Sequence, residues 1–248
     1  MDFALGLFAF WPALALGSFL NVVAARVPLR RSVVRPASAC MSCGTELAWY
    51  DNVPVFSWLV LRGRCRTCGV HISVVYPLVE LATAALVAAC FVKFGLSGDA
   101  FVASFFCVVL VVLSAIDLEH RIVPNLIVVP AAAIVLLAHT ALHPSPEWAI
   151  GALAASGFLF VAALAYPAGM GMGDVKLALL LGAMLGRLVG VGLMLGMFAA
   201  LVPSIYLLAR HGSAARKMGI PFAPFLALGA LIALFAGQQL LDAYLRTF

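Results

Sequence analysis

Two aspartates stand at the ends of strongly apolar segments, where a carboxylate is expected to have a specific use. Asp117 follows the run VVLVVLSAI, and Asp174 lies in GMGDVK, directly before LALLLGAMLG. Charged groups in hydrocarbon are costly and are rarely retained without a function. If the two carboxyl groups meet, they share one proton, because neighbouring carboxylates do not ionise together easily. The ionised member can then take a proton from water while the protonated member hydrogen-bonds a carbonyl oxygen, which is the chemistry of aspartyl peptide hydrolysis.

Simpler roles for these aspartates stay open at this point. Either side chain could anchor its segment at a membrane interface, and Asp174 could cap the N terminus of a helix. The carboxylate ion site of a transporter is a further alternative. Glycines at positions 169, 171 and 173 would let an extended substrate backbone approach Asp174 closely.

Glu119 and His120 lie in the same short stretch as Asp117. Residues two and three positions away need not share its face. We therefore interpret both as loop or supporting groups.

Four of the six cysteines form two Cys-x-x-Cys pairs, Cys40 with Cys43 and Cys65 with Cys68. Each pair points two sulfur atoms at one centre, and two such pairs complete a closed tetrahedral zinc site. A glycine follows each pair directly, which suits a tight turn. Four thiolates leave no open coordination position, so the zinc is expected to be structural. An iron–sulfur site and redox-active cysteines are the alternatives.

Membrane helices are the elements that must position these groups. Of the 248 residues, 65% are hydrophobic and 10% are charged, whereas a soluble domain is about half apolar and a quarter charged. We therefore predict an all-α polytopic membrane protein with about eight transmembrane helices. The predicted spans are residues 3–26, 73–94, 99–117, 122–142, 148–167, 174–186, 187–209 and 222–245. Cys90 and Cys107 each stand alone in a span and are interpreted as small core residues.

The basic residues predict the orientation of the chain. A cleavable signal begins with basic residues, but no basic residue precedes Arg26. We therefore predict that the first apolar segment is a permanent membrane span. With the N terminus outside, the inner side holds twelve of the 15 basic residues: Arg26, Arg30, Arg31, Arg35, Arg62, Arg64, Arg66, Arg121, Lys176, Arg210, Arg216 and Lys217. Only Lys93, Arg187 and Arg246 fall outside. This positive-inside bias places both aspartates at the cytoplasmic face, and the basic charge is interpreted as contacting anionic lipid.

The connection between the first two spans is the one polar stretch long enough to fold separately. The predicted division is therefore a first helix at 1–26, a cytoplasmic four-cysteine loop domain at 27–72, and a membrane domain of about seven helices at 73–248. Cytoplasmic thiols stay reduced, which favours a metal over disulfides.

Several stretches of the chain, in order, resemble the type IV prepilin peptidases. They are GSFLNVVAARVP, the two Cys-x-x-Cys pairs, LRGRCR, ISVVYPLVE, AIDLEHRIVPN, GMGDVKL and IPFAPFLALGAL. The resemblance covers nearly the whole chain. It implies a GxGD-type aspartic peptidase of the bacterial cytoplasmic (inner) membrane, with eight spans and a zinc-bearing cytoplasmic loop.

The resemblance also implies an activity and its residues. Such enzymes remove the basic leader of type IV prepilins or type II secretion pseudopilins on the cytoplasmic side, and many then N-methylate the new N terminus with S-adenosylmethionine. Carried over by motif, Asp117 and Asp174 form the catalytic pair, and the zinc ligands are Cys40, Cys43, Cys65 and Cys68. The expected partners are prepilin or pseudopilin substrates and membrane lipids, with no nucleic acid. The oligomeric state stays open.

The residues of the methyltransferase site are less distinct in the sequence. Gly63 and Arg64 lie beside the cysteines, and Glu80 lies early in the second span, where an acid could hold the ribose or the positive charge of the cofactor. Glu80 could instead hydrogen-bond Ser18 or Asn21, in a region whose small residues favour close helix packing.

Two departures from the family pattern leave the substrate preference open. The segment AYPAG before the glycines lacks the basic residues that family members often carry, and Asn125 stands where an acid is common. Two alternative functions also remain. A carboxylate-gated transporter would predict internal repeats and broken mid-span helices, and a presenilin-like intramembrane protease would share the GxGD pattern without needing the zinc loop.

Overall fold

The computed structural model describes residues 2–166, 170–212 and 219–246. In these residues the protein is built from helices, without any extended strand, which confirms the all-α prediction. The α-helices are α1 (Asp2–Arg26), α2 (Phe56–Val60), α3 (Val75–Phe94), α4 (Gly98–His120), α5 (Asn125–Leu142), α6 (Glu147–Ala165), α7 (Met172–Leu185), α8 (Val189–His211) and α9 (Ala223–Leu245).

Within the described ranges, seven helical stretches are long and apolar enough to cross a membrane. Six of them correspond to single helices, and the seventh, Met172–His211, contains both α7 and α8. The predicted boundary between the sixth and seventh spans coincides with a 3-10 turn at Gly186–Leu188, where Gly186 has a φ of +52°. Helix α7 has 14 residues and is therefore about 21 Å long. Because the 3-10 turn joins α7 to α8 without a break, the two helices form one apolar stretch, which holds both the sixth and the seventh predicted spans.

The chain divides into two compact units, Met1–Ala115 and Ile116–Phe248. In the first unit, α1 packs closely along α3, since a Cβ on Gly17 would lie 2.6 Å from the Cα of Glu80. The Asn21 side chain of α1 donates a hydrogen bond to the Tyr76 carbonyl of α3 over 3.1 Å. Ala13, Leu14, Ala84 and Val87 are among the buried core residues between the helices.

Cys90 and Cys107 also lie in the first unit, in α3 and α4. Both are fully buried, as expected of core residues. Each is the only cysteine of its predicted span, but the packing of α3 and α4 brings their sulfur atoms to 3.7 Å from each other.

The second unit is organised around α7. The side chains of Leu177, Ala178, Leu180 and Leu181 are fully buried. Helix α6 crosses α7 in close backbone contact, because a Cβ on Gly182 would strike the carbonyl of Gly151. The burial holds α7, and with it the Asp174 turn at its start, in a defined position.

Candidate functional site

Asp117 lies in the last turn of α4 and is 5% exposed. Its Oδ2 accepts a hydrogen bond from the backbone N–H of Ala223, the first residue of α9, over 2.9 Å. A helix N terminus carries partial positive charge, so it stabilises a carboxylate held against it. The start of α9 is thus a direct partner of this aspartate.

Asp174 is the third residue of α7, and its carboxyl group is half-buried. Its backbone N–H donates to the carbonyl of Gly171 over 3.1 Å, which closes the first turn of the helix. Gly171 itself has an extended backbone. The Asp117 carboxyl group lies within electrostatic range of the Asp174 carboxyl group. The structure therefore brings the two predicted residues into one neighbourhood of the second unit.

Two contacts join the loop after Asp117 to the turn that carries Asp174. Gly173 packs against Val123, since a Cβ added to Gly173 would lie 2.9 Å from the Cβ of Val123. Two residues after Asp174, the Lys176 ammonium donates a hydrogen bond to the Asn125 Oδ1 over 2.8 Å. These contacts flank Asp174 on both sides and hold its turn against the α4–α5 connection.

Replacing Gly173 by alanine is expected to lower any activity of this site about 100-fold, because the new methyl group pushes the α7 turn off Val123 and a displacement near 1 Å has such an effect. The relevant measurement is the rate of the peptidase reaction that the resemblance in the sequence implies. Gly157→Ala is the matched control, since a Cβ there meets no atom within 4 Å. Val123→Gly, which removes the Cβ that the new methyl group would strike, should restore much of the rate in the Gly173→Ala background. If Gly173→Ala alone keeps the wild-type rate, the contact does not set the position of Asp174.

The neighbouring residues considered from sequence have distinct environments. Glu119 is exposed, whereas the Nε2 atom of His120 is buried and has no hydrogen-bond partner in the described part of the chain. Gly169 lies outside the described residues. Sequence reasoning missed the Ala223 amide and the Val123 contact. The stretch IPFAPF contains Ala223, but the sequence indicated it only as part of the family resemblance and not as a partner of Asp117.

The four cysteines of the two pairs converge in the first unit, with their sulfur atoms all within 4.8 Å of one another. The two turns have the same hydrogen bonds. The backbone N–H of Gly44 donates to the carbonyl oxygen of Cys40, and the backbone N–H of Gly69 donates to the carbonyl oxygen of Cys65. Both glycines have a φ of +71°, which a side chain would disfavour.

The cysteine cluster fits a tetrahedral metal. Zinc–sulfur bonds of about 2.3 Å place the sulfur atoms of a tetrahedral site about 3.8 Å apart, and the Cys40 and Cys68 sulfur atoms are 3.8 Å apart. Hydrogen bonds with the side chain and backbone of Thr45 lower the pKa of the Cys43 thiol to about 6. The thiolate, which is the form that binds metal, is therefore favoured at neutral pH.

A cavity of about 460 Å³ lies beside this cluster within the first unit. Glu80, Asn21 and Trp58 are among its lining residues. The buried Glu80 carboxylate accepts a hydrogen bond from the Val55 N–H over 2.7 Å and also interacts with the Ser18 side chain. Gly63 does not line the cavity but lies under the Trp58 ring, where a Cβ would be 2.8 Å from the indole.

Arg64, the third residue considered for the cofactor, is exposed and is not part of the cavity wall. Its neighbour Arg66 does line the cavity and forms a bidentate ion pair with Asp51, with a shortest distance of 2.6 Å. Of the three residues considered for the cofactor, Glu80 therefore lines the cavity, Gly63 lies behind the Trp58 ring that lines it, and Arg64 lies outside the cavity.

Comparison with known families and proteins gives matches along most of the chain. The family model described as Bacterial Peptidase A24 N-terminal domain matches residues 12–94, and that of the Type IV leader peptidase family matches residues 104–236. No solved structure gives a significant match.

Several curated proteins named prepilin leader peptidase/N-methyltransferase are similar to this chain. The protein from Myxococcus xanthus is 45% identical over 82% of this chain, which spans 63% of the length of that relative. The protein from Bacillus subtilis is 35% identical over 94% of this chain and 95% of its own length. The protein from Xanthomonas campestris is 34% identical, with 94% and 92% covered.

Proposed function

Since the chain belongs to the type IV leader peptidase family, we propose that it is a membrane aspartic endopeptidase that removes the leader of prepilins or pseudopilins. We also propose that it methylates the new N-terminal residue with S-adenosylmethionine, in line with the names of its relatives. The single observation that carries the peptidase assignment is the Asp117 carboxylate, buried against the start of α9 and within electrostatic range of Asp174.

In the proposed mechanism the two aspartates have different roles. Asp117 is the base, because the Ala223 amide stabilises its ionised form. It takes a proton from water as the water oxygen attacks the scissile carbonyl, while the protonated Asp174 donates its proton to the carbonyl oxygen. On collapse of the tetrahedral intermediate, Asp117 passes its proton to the leaving amine, and Asp174 recovers a proton from the oxygen. Both residues return to their starting states.

The direct test of the proposed function is cleavage of a prepilin by the purified protein in detergent. The substrate carries a basic leader, a Gly-Phe junction and a glutamate five residues later. Mass spectrometry should show loss of the leader and, with S-adenosylmethionine, addition of one methyl group. A substrate that stays intact would contradict the peptidase assignment, and a cleaved but unmethylated product would contradict the second activity alone.

The metal proposed for the cysteine cluster is structural zinc. Its support is the set of four cysteine sulfur atoms within 4.8 Å of one another, of which the Cys40 and Cys68 atoms are 3.8 Å apart, the spacing of a tetrahedral site. When bound, zinc would cross-link the two cysteine turns, and no catalytic step uses it because all four positions are taken.

S-adenosylmethionine is proposed to bind in the cavity beside Glu80. The cofactor supplies an electrophilic methyl group and carries a positive sulfonium. The fit rests on the buried Glu80 carboxylate, on the Trp58 ring, and on the volume of about 460 Å³. Gly63 would act through Trp58, whose indole it supports, and Arg64 would act from outside the cavity, where its charge can meet the cofactor carboxylate.

Glu80→Gln is expected to raise the KM for S-adenosylmethionine about 10- to 100-fold, the range for losing a charged hydrogen-bond partner. The amide oxygen of glutamine can still accept the hydrogen bond from the Val55 N–H, so the fold should persist. Methyl transfer to an already cleaved peptide is measured, with leader removal as the internal control. An unchanged KM would remove Glu80 from the cofactor site.

The proposed orientation is an outer N terminus and a cytoplasmic active site in the bacterial inner membrane. Its support is the distribution of basic residues, although Arg216 and Lys217 of the inner set lie outside the described residues. Reporter fusions after residue 145 should be active outside, and fusions after residue 121 inside. The opposite result would reverse the orientation.

A further inference from the structure

Residues 53–61, with the sequence VPVFSWLVL, form an apolar segment inside the polar connection between α1 and α3. The segment carries no charge and includes the short helix α2. Asp51 and Asn52 precede it, and Arg62 and Arg64 follow it. An apolar run of this length is too short to span a bilayer and is more consistent with a buried or re-entrant segment.

The segment reaches far along the two neighbouring membrane helices. Val55 packs against the buried cluster that contains Ala13 and Ala84. Ala84 is the tenth of the 20 residues of α3, so the cluster includes the middle of a membrane-spanning helix. The Phe56 ring stacks on Trp11 of α1 with centroids 6.4 Å apart and an interplanar angle of 15°. Trp11 lies about 22 Å along the helix axis from Arg26, where α1 ends.

Several backbone and side-chain donors of the segment are paired within the protein, as hydrocarbon surroundings require. The Val55 N–H donates to the Glu80 carboxylate. Within the segment, the Ser57 N–H donates to the Val53 carbonyl, the Leu59 N–H to the Val55 carbonyl, and the Leu61 N–H to the Ser57 carbonyl. The Trp58 indole N–H donates to the carbonyl of Ile72.

The outward face of the segment is apolar. Phe56, Leu59 and Val60 are 52%, 58% and 76% exposed. Trp11, with which Phe56 stacks, is itself 56% exposed on a membrane-spanning helix. The apolar face of the segment is thus continuous with the lipid-facing surface of α1.

We propose that residues 53–61 are a re-entrant segment immersed in the bilayer, and that the partner of their exposed face is the acyl chains of phospholipid. Arg62, directly after the segment, is then placed to meet lipid phosphates. The four-cysteine loop domain is accordingly embedded in the membrane at this segment. This inference is independent of the proposed peptidase and methyltransferase activities, because it depends only on the spans of the first unit.

A labelling experiment in phospholipid nanodiscs, which contain the purified protein and no other partner, tests the inference. Val60→Cys is compared with Val34→Cys, because Val34 is 79% exposed and lies in the same connection outside the segment. A polar maleimide should label Val34→Cys at least about 10-fold faster than Val60→Cys, and the two should react equally in a denaturing detergent. Equal rates in nanodiscs would overturn the proposal. Wild-type protein gives the baseline for the native cysteines.

A second measurement needs no substitution and therefore does not depend on how the variants fold. Wild-type protein is placed in nanodiscs whose phospholipids carry a photoreactive group in the acyl chain. After illumination and proteolysis, cross-links should be found at Phe56, Leu59 or Val60. Cross-links confined to the long helices, with none in residues 53–61, would also overturn the proposal.

Discussion

Asp117→Asn and Asp174→Asn are each expected to abolish leader removal, with losses of about 100- to 10,000-fold, the range for a general acid or base. Each residue is indispensable because one accepts the proton of water while the other donates a proton to the carbonyl. The asparagine amide oxygen can still accept the hydrogen bond from the Ala223 N–H, so Asp117→Asn should fold normally. The measurement is prepilin cleavage, followed by the mobility shift of the product.

The controls separate the chemistry from the fold. Glu119→Gln removes an exposed carboxylate two positions from Asp117 and should cleave at nearly the wild-type rate. Asp117→Glu and Asp174→Glu keep the charge but move it by roughly an angstrom, and should each lose about 100-fold. Methylation of an already cleaved peptide should survive in all of these variants, because the proposed cofactor cavity is lined by residues of the first unit. Near wild-type cleavage by either asparagine variant would mean that the pair is assigned to the wrong residues.

Cys43→Ser is expected to reduce the zinc content from about one ion per chain to nearly none. Three thiolates and an exposed serine hydroxyl form a much weaker site, and small metal-bearing loops depend on their ion for folding. Metal analysis of the purified protein measures the loss. Protease sensitivity of residues 27–72 should rise in parallel, and methyl transfer should fall because this loop forms one side of the Glu80 cavity.

Cys90→Ser is the matched control for zinc binding. Cys90 is buried in α3 and lies outside the four-cysteine cluster, so its replacement should leave the zinc content unchanged. A wild-type protein that is fully active without bound metal, or a Cys43→Ser variant that retains one zinc ion per chain, would contradict the assignment.

The sequence alone predicted the features that depend on short-range spacing. Two residues between paired cysteines bring their sulfur atoms to one centre through a local turn, so the grouping of Cys40, Cys43, Cys65 and Cys68 follows from their spacing along the chain. The all-α membrane fold could also be predicted from the sequence, because the length and the hydropathy of a membrane span are local properties of the chain. The assignment of Asp117 and Asp174 as catalytic residues rests on the motif and stays a prediction.

Only the tertiary structure decided which distant groups meet. The Ala223 amide reaches Asp117 across 106 positions, and Gly173 meets Val123 because α7 packs against the α4–α5 connection. The contact of residues 53–61 with α1 and α3 was likewise invisible in a stretch that the sequence assigned to a cytoplasmic loop. Such contacts follow from how whole helices cross and how deep a loop folds back, and these geometries depend on the combined packing of many side chains and not on the spacing within any one motif.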